Sequence, residues 1–250
     1  MFSIIKRLSD IIRREGILSA IRGSFGSLYK NFFFFICYPK INSIKKESNT
    51  KRLVDFVSDN CYGFIRPLQV KEELSDLIKE MEKSNPRFVL EIGTSMGGTL
   101  FLFTRKAKAD ATIISIDLPG GLFGGGYFQP RSNLYRRFCS NRQKMFLLRA
   151  DSHRKETYRK VAEILGENKL DFLFIDGDHT YEGVKRDFKM YKPLVKKGGL
   201  IGLHDVAKHP KESGCNVDKF WKEIRQKYKY KEIINDKDQG WAGIGILINK

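Results

Sequence analysis

From about residue 70 onward, the chain alternates short apolar segments with longer amphipathic ones. The apolar segments have the length and composition of buried strands, and the amphipathic ones repeat apolar residues at helical spacing. The predicted strands are 87–92, 111–116, 145–149, 170–175, 199–203, 230–234 and 241–248. The predicted helices are 71–83, 97–106, 153–165, 181–194 and 217–228. Strands joined by helices form parallel units, so we expect a doubly wound α/β sheet whose last two strands, with no helix between them, pair antiparallel.

The N-terminal part of the chain differs from the rest in charge. The chain carries 46 Lys and Arg against 29 Asp and Glu, a formal net charge of +17, and residues 1–51 hold ten of these basic residues with only three acids. Ile4, Ile5, Leu8, Ile11 and Ile12 repeat at helical spacing among basic residues, which predicts a basic amphipathic helix. Because 41–52 is polar and resembles a linker, we predict a helical arm and linker over 1–52 and a second domain over 53–250.

Two interpretations of this basic arm stay open. In the first, the arm packs on its own domain or on a second copy of the chain, which would make a homo-oligomer. In the second, it lies on the anionic inner face of a membrane, because a basic amphipathic helix suits such a surface. No segment approaches the roughly 20 apolar residues of a membrane span, and the four scattered cysteines indicate no disulfide framework, so we expect a cytoplasmic protein. The charge is dispersed and no nucleic-acid-binding module accompanies it, so we expect no specific nucleic-acid partner.

Three predicted strands end in residues typical of ligand binding, because ligands of doubly wound sheets bind at the carboxyl ends of the strands. The first strand runs into Glu91-Ile-Gly-Thr-Ser-Met-Gly-Gly98, where the glycines permit a sharp turn and a close approach to a helix N-terminus. Asp117 closes the second strand, where a carboxylate can accept hydrogen bonds from ribose hydroxyls. Asp151 and Ser152 follow the third strand. Each also has a purely structural interpretation, as a tight turn, a loop start or a helix cap.

The fourth strand end carries the most distinctive chemistry. The buried segment 170–175 is followed by Asp176, Asp178 and His179, and the next strand ends in His204-Asp205. The carboxyl ends of neighbouring parallel strands meet at one edge of the sheet, so we expect these side chains to converge there. Carboxylates and imidazoles in one place suit a divalent cation together with a general base.

Four segments in this order resemble those of class I S-adenosylmethionine-dependent methyltransferases: VLEIGTSMGGTL, IDLPGGLFGGGY, LDFLFIDGDHTYEGVKRDF and GGLIGLHDV. More narrowly, they resemble the branch of cephalosporin hydroxylase-like proteins and uncharacterised bacterial and archaeal methyltransferases. The resemblance runs from about Gln69 to the C-terminus. It implies a Rossmann-like, seven-stranded sheet whose last strand is antiparallel, preceded here by the N-terminal helical arm.

The resemblance also implies roles for individual residues. The turn around the methionine part of S-adenosylmethionine would comprise Glu91, Gly93, Thr94, Ser95 and Gly97. Asp117 would bind the ribose, Asp151 and Ser152 would lie near the adenine, and Asp176 would border both the cofactor and a metal. In metal-assisted relatives the cation is held at positions matching Asp176, His204 and Asp205. His204 departs from the oxygen ligands usual there, which favours a softer ion than Mg²⁺.

The function implied is methyl transfer from S-adenosylmethionine to a hydroxyl of a small-molecule or glycan acceptor, with divalent-metal assistance left open. His179 is the first candidate for the base, His204 the second, and Asp176 is the third catalytic candidate. A nicotinamide-dependent oxidoreductase and a non-catalytic Rossmann-like binding protein are the alternatives, although Ser95, where a dinucleotide fingerprint has Gly, argues against the former. The glycine-rich segment 119–128 is either a lid over the acceptor or a plain connection.

Overall fold

The computed structural model describes residues 34–120, 126–140 and 142–250. The strands are β1 (Phe88–Ile92), β2 (Thr112–Asp117), β3 (Lys144–Arg149), β4 (Leu170–Ile175), β5 (Val195–His204), β6 (Lys229–Ile233) and β7 (Ile244–Ile248). The α-helices in these residues are α1 (Tyr38–Ser43), α2 (Thr50–Asp59), α3 (Lys71–Lys83), α4 (Gly98–Lys106), α5 (Ser132–Arg136), α6 (Lys155–Leu165), α7 (Tyr181–Tyr191) and α8 (Val217–Ile224).

The strands form one seven-stranded sheet in the order β3-β2-β1-β4-β5-β7-β6. The pairs from β3 to β5 are parallel, and β7 lies antiparallel to both of its neighbours, β5 and β6. The predicted α/β sheet with an antiparallel last strand is therefore confirmed. The strand order reverses between β1 and β4, so the carboxyl ends of these two strands mark the switch point where such sheets bind ligands.

Helices cover both faces of the sheet, because successive residues of a strand point to opposite sides. Phe172 and Phe174 of β4 join an apolar cluster with α1 to α5 on one face. Leu173 and Ile175 join a second cluster with α6, α7 and α8 on the other. Strands buried on both faces explain the nearly continuous apolar runs of the sequence.

Several predicted boundaries differ from the observed ones: β5 begins at Val195 rather than at 199, and the helices predicted over 153–165 and 217–228 span Lys155–Leu165 and Val217–Ile224. Two further differences have local reasons. The last strand begins at Ile244 rather than at Trp241, because Ala242 and Gly243 have φ values of +58° and +82° and turn the chain before the ladder starts. The helix predicted over 181–194 ends as an α-helix at Tyr191 and continues as a 3₁₀ turn over Lys192–Leu194 that contains Pro193.

The basic amphipathic helix predicted near the N-terminus lies outside the described residues. The described part of the arm packs on the domain: Phe34, Cys37 and Ile41 are buried in the same cluster as α2 and α3. The segment 41–52 is therefore not a free linker, since α1 reaches Ser43 and α2 starts at Thr50, and the predicted boundary after residue 52 falls within α2. No helix within these residues is long and apolar enough to cross a membrane.

Candidate active site

A cavity of about 630 Å³ opens at the carboxyl ends of the parallel strands. It lies at the switch point of the sheet, where the strand order predicts ligand binding. Most of the predicted site residues line it, as do several that the sequence analysis does not single out. The predicted residues in the lining are Gly93, Thr94, Ser95, Gly97, Asp117, Asp151, Ser152, Asp176, His179, His204 and Asp205.

The turn after β1 requires glycine at two positions. Gly93 has φ +92°, and a Cβ there would lie 1.9 Å from the carbonyl oxygen of Asp176. Gly97 has φ +81°, and a Cβ there would lie 2.4 Å from the Tyr135 ring. Ser95 also has a positive φ, +46°, at the position where a dinucleotide fingerprint has glycine. The glycines therefore let β1 and β4 approach closely and leave the backbone of the turn facing the cavity.

Glu91 lies behind this turn, inside the sheet. Its side chain is fully buried, and neither carboxyl oxygen has a hydrogen-bond partner among the described residues. The neighbouring Thr94 hydroxyl pairs with Ser115 instead. Burial, together with the charges of Asp176 and Asp117, raises the pKa of Glu91 to about 8, although the nearby hydroxyls of Thr99 and Thr94 favour the charged form and oppose the shift. Glu91 is thus a buried acid one residue before the point where the chain enters the cavity, at Ile92 and Gly93.

Asp117 ends β2 beside the same turn. Its Oδ2 accepts a hydrogen bond from Ser95 N at 2.7 Å, and its Oδ1 accepts one from Gly126 N at 3.1 Å. Burial raises the pKa of Asp117 to about 6, although these backbone donors oppose the shift. The carboxyl group faces the cavity with lone pairs that a ligand hydroxyl can use.

Asp151 and Ser152 follow β3 on the far side of the cavity. Asp151 Oδ1 accepts a hydrogen bond from His153 N at 2.8 Å, so the carboxylate stabilises the turn into α6 as well as bordering the cavity. His153 borders it too, and its Nε2 lies 3.3 Å from Oδ1 of the buried Asp187 on α7. No sequence pattern predicts this pair, because His153 lies just before α6 whereas Asp187 lies within α7.

The ionisable groups predicted at the ends of β4 and β5 do come together. His204 Nδ1 lies 3.0 Å from Asp176 Oδ1 and 3.4 Å from Asp205 Oδ1. His179 Nδ1 lies 2.5 Å from Asp205 Oδ2, and its Nε2 lies 3.9 Å from Asp176 Oδ1. We refer to Asp176, His179, His204 and Asp205 as the strand-end cluster.

Asp178 is not part of this cluster. Its Oδ1 accepts a hydrogen bond from Thr180 N at 2.9 Å, and the carboxylate packs against the backbone of Gly183 at the start of α7. The acid therefore helps to begin the helix, as short polar side chains commonly do.

Contacts within the cluster favour the charged forms of the two imidazoles and of Asp205. Burial opposes a charge on His179, but hydrogen bonds to Asp205 and Cys215 and the charge of Asp176 raise its pKa to about 10. The pKa of His204 is also raised well above its ordinary value, because the attraction of Asp176 and Asp205 outweighs the burial of the ring. For Asp205, burial favours the neutral form, yet the positive charge of His204 and three imidazole contacts hold its pKa far below the usual range.

Two residues that the sequence analysis does not single out complete the cluster. Gln69 Nε2 donates a hydrogen bond to Asp176 Oδ2 at 2.6 Å, and His209 Nε2 lies 3.1 Å from Asp205 Oδ1. Gln69 reaches the site because Gly98 has no side chain: a Cβ there would lie 2.5 Å from the carbonyl oxygen of Ile65. His209 was detectable as an imidazole four residues after the HD pair, but Gln69 carries no local signal.

The open side of the cavity is apolar. Leu68, Leu118 and Trp241 line it, and their side chains remain 67%, 45% and 47% exposed. The loop that carries Trp241 is anchored by the buried Glu73 of α3, whose carboxylate accepts hydrogen bonds from Asn235 N and Gly243 N, both at 2.9 Å. Such exposure on an anchored loop is typical of a surface that a ligand covers.

The predicted lid falls partly outside the described residues, which omit 121–125. Tyr127, one of its expected aromatic residues, is buried and packs edge-on against Tyr135 at 4.8 Å between ring centroids. Its carbonyl oxygen accepts a hydrogen bond from Arg149 Nε at 3.0 Å. Tyr127 therefore belongs to the core, and the aromatic residues of this segment do not all cover the cavity.

The donors of the cluster fit a divalent cation. One ligand atom each from Asp176, His204 and Asp205 lies within 4.8 Å of the others. Two carboxylates and one imidazole suit Mn²⁺, Co²⁺ or Zn²⁺ better than Mg²⁺, which prefers oxygen ligands alone.

Residues 90–206 match the family described as a methyltransferase domain. Among curated proteins, the uncharacterised protein R132 of Acanthamoeba polyphaga mimivirus is 32% identical over 151 residues, which are 60% of this chain and 64% of that protein. The uncharacterised protein y4gI of Sinorhizobium fredii is 25% identical over 142 residues, which are 56% of this chain but 15% of that protein. The chain thus spans less than two thirds of either relative.

Two solved structures share the fold. One is the O-methyltransferase TomG from Streptomyces achromogenes in complex with SAM, at a TM-score of 0.53 and 16% identity, covering 82% of this chain and 92% of that one. The other is the O-methyltransferase from Bacillus cereus in complex with SAH, at a TM-score of 0.52 and 16% identity, covering 84% and 96%. These matches do not test the narrower resemblance to cephalosporin hydroxylase-like proteins and uncharacterised bacterial and archaeal methyltransferases, which stays a prediction. The family match over 90–206 and the shared fold agree with what the four sequence segments indicate: these residues resemble a methyltransferase domain, and the chain has the fold of the two solved methyltransferases.

Proposed function

We propose that the chain transfers a methyl group from S-adenosylmethionine (SAM) to a hydroxyl of a small-molecule or saccharide acceptor. One observation carries this proposal: the glycine turn, Asp117 and the strand-end cluster all border one cavity at the switch point of the sheet. A cofactor held against the turn would therefore have its reacting end beside groups that can orient an acceptor and receive its proton.

The cofactor-binding half of the site follows from the turn and the two neighbouring strand ends. The turn over 93–97 would hold the methionine part of SAM, with the buried carboxyl group of Glu91 behind it. Asp117 would accept hydrogen bonds from the ribose hydroxyls, and Asp151 with Ser152 would border the adenine. In support, the carboxyl of Asp117 lies against the backbone of Ser95, so the proposed ribose and methionine positions are contiguous.

SAM, when bound, would supply an electrophilic methyl group for in-line transfer to the acceptor oxygen, with S-adenosylhomocysteine as the leaving group. The chain must then place the acceptor hydroxyl and take its proton. His179 is the better base candidate, because its side chain is 23% exposed whereas that of His204 is 5% exposed. In the arrangement described, His179 is protonated at neutral pH, so it can act as a base only after releasing its proton.

We also propose that Asp176, His204 and Asp205 hold a divalent cation. A cation there would lower the pKa of the acceptor hydroxyl. The carboxylates face the proposed acceptor position, and neutralising part of their charge would let an acceptor oxygen approach as an anion. This proposal is separate from cofactor binding, since none of the three residues is needed to hold the adenosine.

The acceptor would enter over Trp241 and Leu68. Both side chains are exposed and line the cavity, and their sequence neighbours Gln69 and Ala242 contact Asp176 and His209. An acceptor with an apolar face, such as an aromatic ring or the carbon face of a sugar, would pack on the indole while its hydroxyl reaches the cluster.

Isothermal titration calorimetry with S-adenosylhomocysteine (SAH), NAD⁺ and NADP⁺ tests the proposed cofactor. We expect one molecule of SAH per chain and no heat from either dinucleotide. Tight binding of a dinucleotide instead would favour an oxidoreductase. Methyl transfer from radiolabelled SAM to a panel of phenols and methyl glycosides then separates an enzyme from a non-catalytic binding protein, with Asp176→Asn as the inactive control.

A further inference from the structure

Gln69 links the strand-end cluster to a part of the chain that precedes the family match. It lies two residues before α3, its side chain is 9% exposed, and its Nε2 donates to Asp176 Oδ2 at 2.6 Å. With His204 on the other oxygen, both oxygens of Asp176 are in contact with a side chain. The family match over 90–206 does not include this residue, so its role must come from the structure.

The other amide atom of Gln69 has no partner. Oε1 is buried and makes no hydrogen bond with any residue in the described ranges, and the same holds for His204 Nε2. An unpaired buried carbonyl oxygen costs about 1–3 kcal/mol, and folded proteins rarely keep one without a reason. Oε1 and Nε2 belong to one planar amide, so the unpaired oxygen lies beside Asp176 at the wall of the cavity.

The unpaired oxygen gives Gln69 a possible ligand atom that its hydrogen bond to Asp176 leaves unused. The amide NH₂ faces Asp176 because a carboxylate only accepts hydrogen bonds. Rotation about the last side-chain torsion of Gln exchanges the nitrogen and the oxygen, and that torsion is broad and roughly two-fold. An amide carbonyl oxygen is an ordinary ligand for divalent cations.

We propose that Gln69 is the fourth protein ligand of a divalent-cation site formed with Asp176, His204 and Asp205. The amide rotates when the ion binds, so that Oε1 faces the ion and Nε2 leaves Asp176 Oδ2. This inference rests on the cation site of the proposed function and adds Gln69 to it; it does not depend on the binding of SAM. Three oxygen ligands and one imidazole favour Mn²⁺ or Co²⁺ over Mg²⁺.

Cobalt absorption tests this site without any acceptor. Tag-free protein is titrated with Co²⁺ while its visible d–d bands are recorded, for the wild type, Gln69→Leu, Gln69→Glu and the control Gln226→Leu. Gln226 is exposed and does not line the cavity. We expect Gln69→Leu to weaken Co²⁺ binding by more than the roughly 10- to 100-fold that loss of a hydrogen-bond partner of a ligand costs, and to change the bands, which such a partner would leave nearly unaltered. Gln69→Glu should bind Co²⁺ at least as tightly as the wild type and with altered bands, and Gln226→Leu should match the wild type.

Several results would overturn the proposal. It is wrong if Gln69→Leu binds Co²⁺ with the affinity and the spectrum of the wild type. If Gln69→Leu does not fold, the test relies on Gln69→Glu. A Co²⁺ spectrum of this variant identical to that of the wild type would show that residue 69 is not a ligand. A strong thiolate-to-cobalt band in the near ultraviolet would place the ion at Cys215, His179 and Asp205 instead, and absence of Co²⁺ binding to the wild type also refutes it. SAH titration of the same samples keeps the two proposals apart, since SAH binding without Co²⁺ binding rejects only the cation site.

Discussion

The buried Glu91 should make the free energy of unfolding fall as the pH rises, and we expect the substitution Glu91→Gln to abolish this fall. Glu91 is fully buried in β1, and its carboxyl oxygens are unpaired within the described parts of the chain. Burial raises its pKa from the ordinary 4.5 to about 8. The folded state therefore keeps a proton that the unfolded state releases once the pH exceeds about 4.5.

The sign of the effect follows from this difference in bound protons. Between these two pKa values the folded state binds more protons than the unfolded state, so the free energy of unfolding falls as the pH rises and levels off above pH 8. Each pKa unit corresponds to about 1.4 kcal/mol, which gives a total loss on the order of 5 kcal/mol between pH 4.5 and pH 9. The amide of the Glu91→Gln variant cannot titrate, so this variant should lack the contribution and gain stability relative to the wild type as the pH rises.

Urea unfolding at pH 5 and pH 9 measures the effect, with the exposed Glu167→Gln as the matched control. We expect the difference in unfolding free energy between Glu91→Gln and the wild type to shift by several kcal/mol in favour of the variant at pH 9, while the control shows no such shift. Glu91→Gln should also bind SAH more weakly at pH 9, where the wild-type carboxyl is ionised and would lie near the ammonium group of the ligand. A difference in stability that is the same at both pH values would refute the reasoning.

Three further substitutions have expected outcomes. Asp117→Ala should weaken SAH binding in calorimetry by about 1–3 kcal/mol, roughly 5- to 150-fold, whereas Asp110→Ala, in a surface ion pair, should not. Gly93→Ala should lower the melting temperature far more than Gly198→Ala: both have positive φ, but only at Gly93 would the Cβ meet backbone, whereas nothing lies within 4 Å at Gly198. Trp241→Ala should leave the melting temperature unchanged and raise KM for the acceptor, because the indole is largely exposed.

Local sequence patterns predict the fold well because each element carries its own signal. The helix predicted over 71–83 has the observed bounds, since Leu74, Leu77, Ile78 and Met81 repeat at helical spacing and are all buried. The alternation of strands and helices determines the parallel sheet, and the missing helix before β7 indicates its antiparallel pairing. The polar segment 41–52 is misleading because a single apolar residue, Ile41, suffices to dock the short helix α1.

The site is predictable only where one residue at a strand end suffices to define it. Asp117 and the HD pair follow strands directly, so topology alone places them at one edge of the sheet. Gln69 and Glu73 each contact a partner more than 100 residues away in sequence, and Trp241 lies on the loop that Glu73 anchors. No local sequence pattern encodes such pairings. The protonation of His179 depends on Cys215 as well as on Asp205, and no sequence pattern places Cys215 beside the strand ends.

A crystal structure of the chain with SAH tests the central claim most directly. The account predicts that the ribose hydroxyls contact Asp117, that the adenine lies beside Asp151 and Ser152, and that the sulfur faces the strand-end cluster across the cavity. SAH bound outside this cavity, or within it but with its sulfur turned away from Asp176 and His179, would contradict the account.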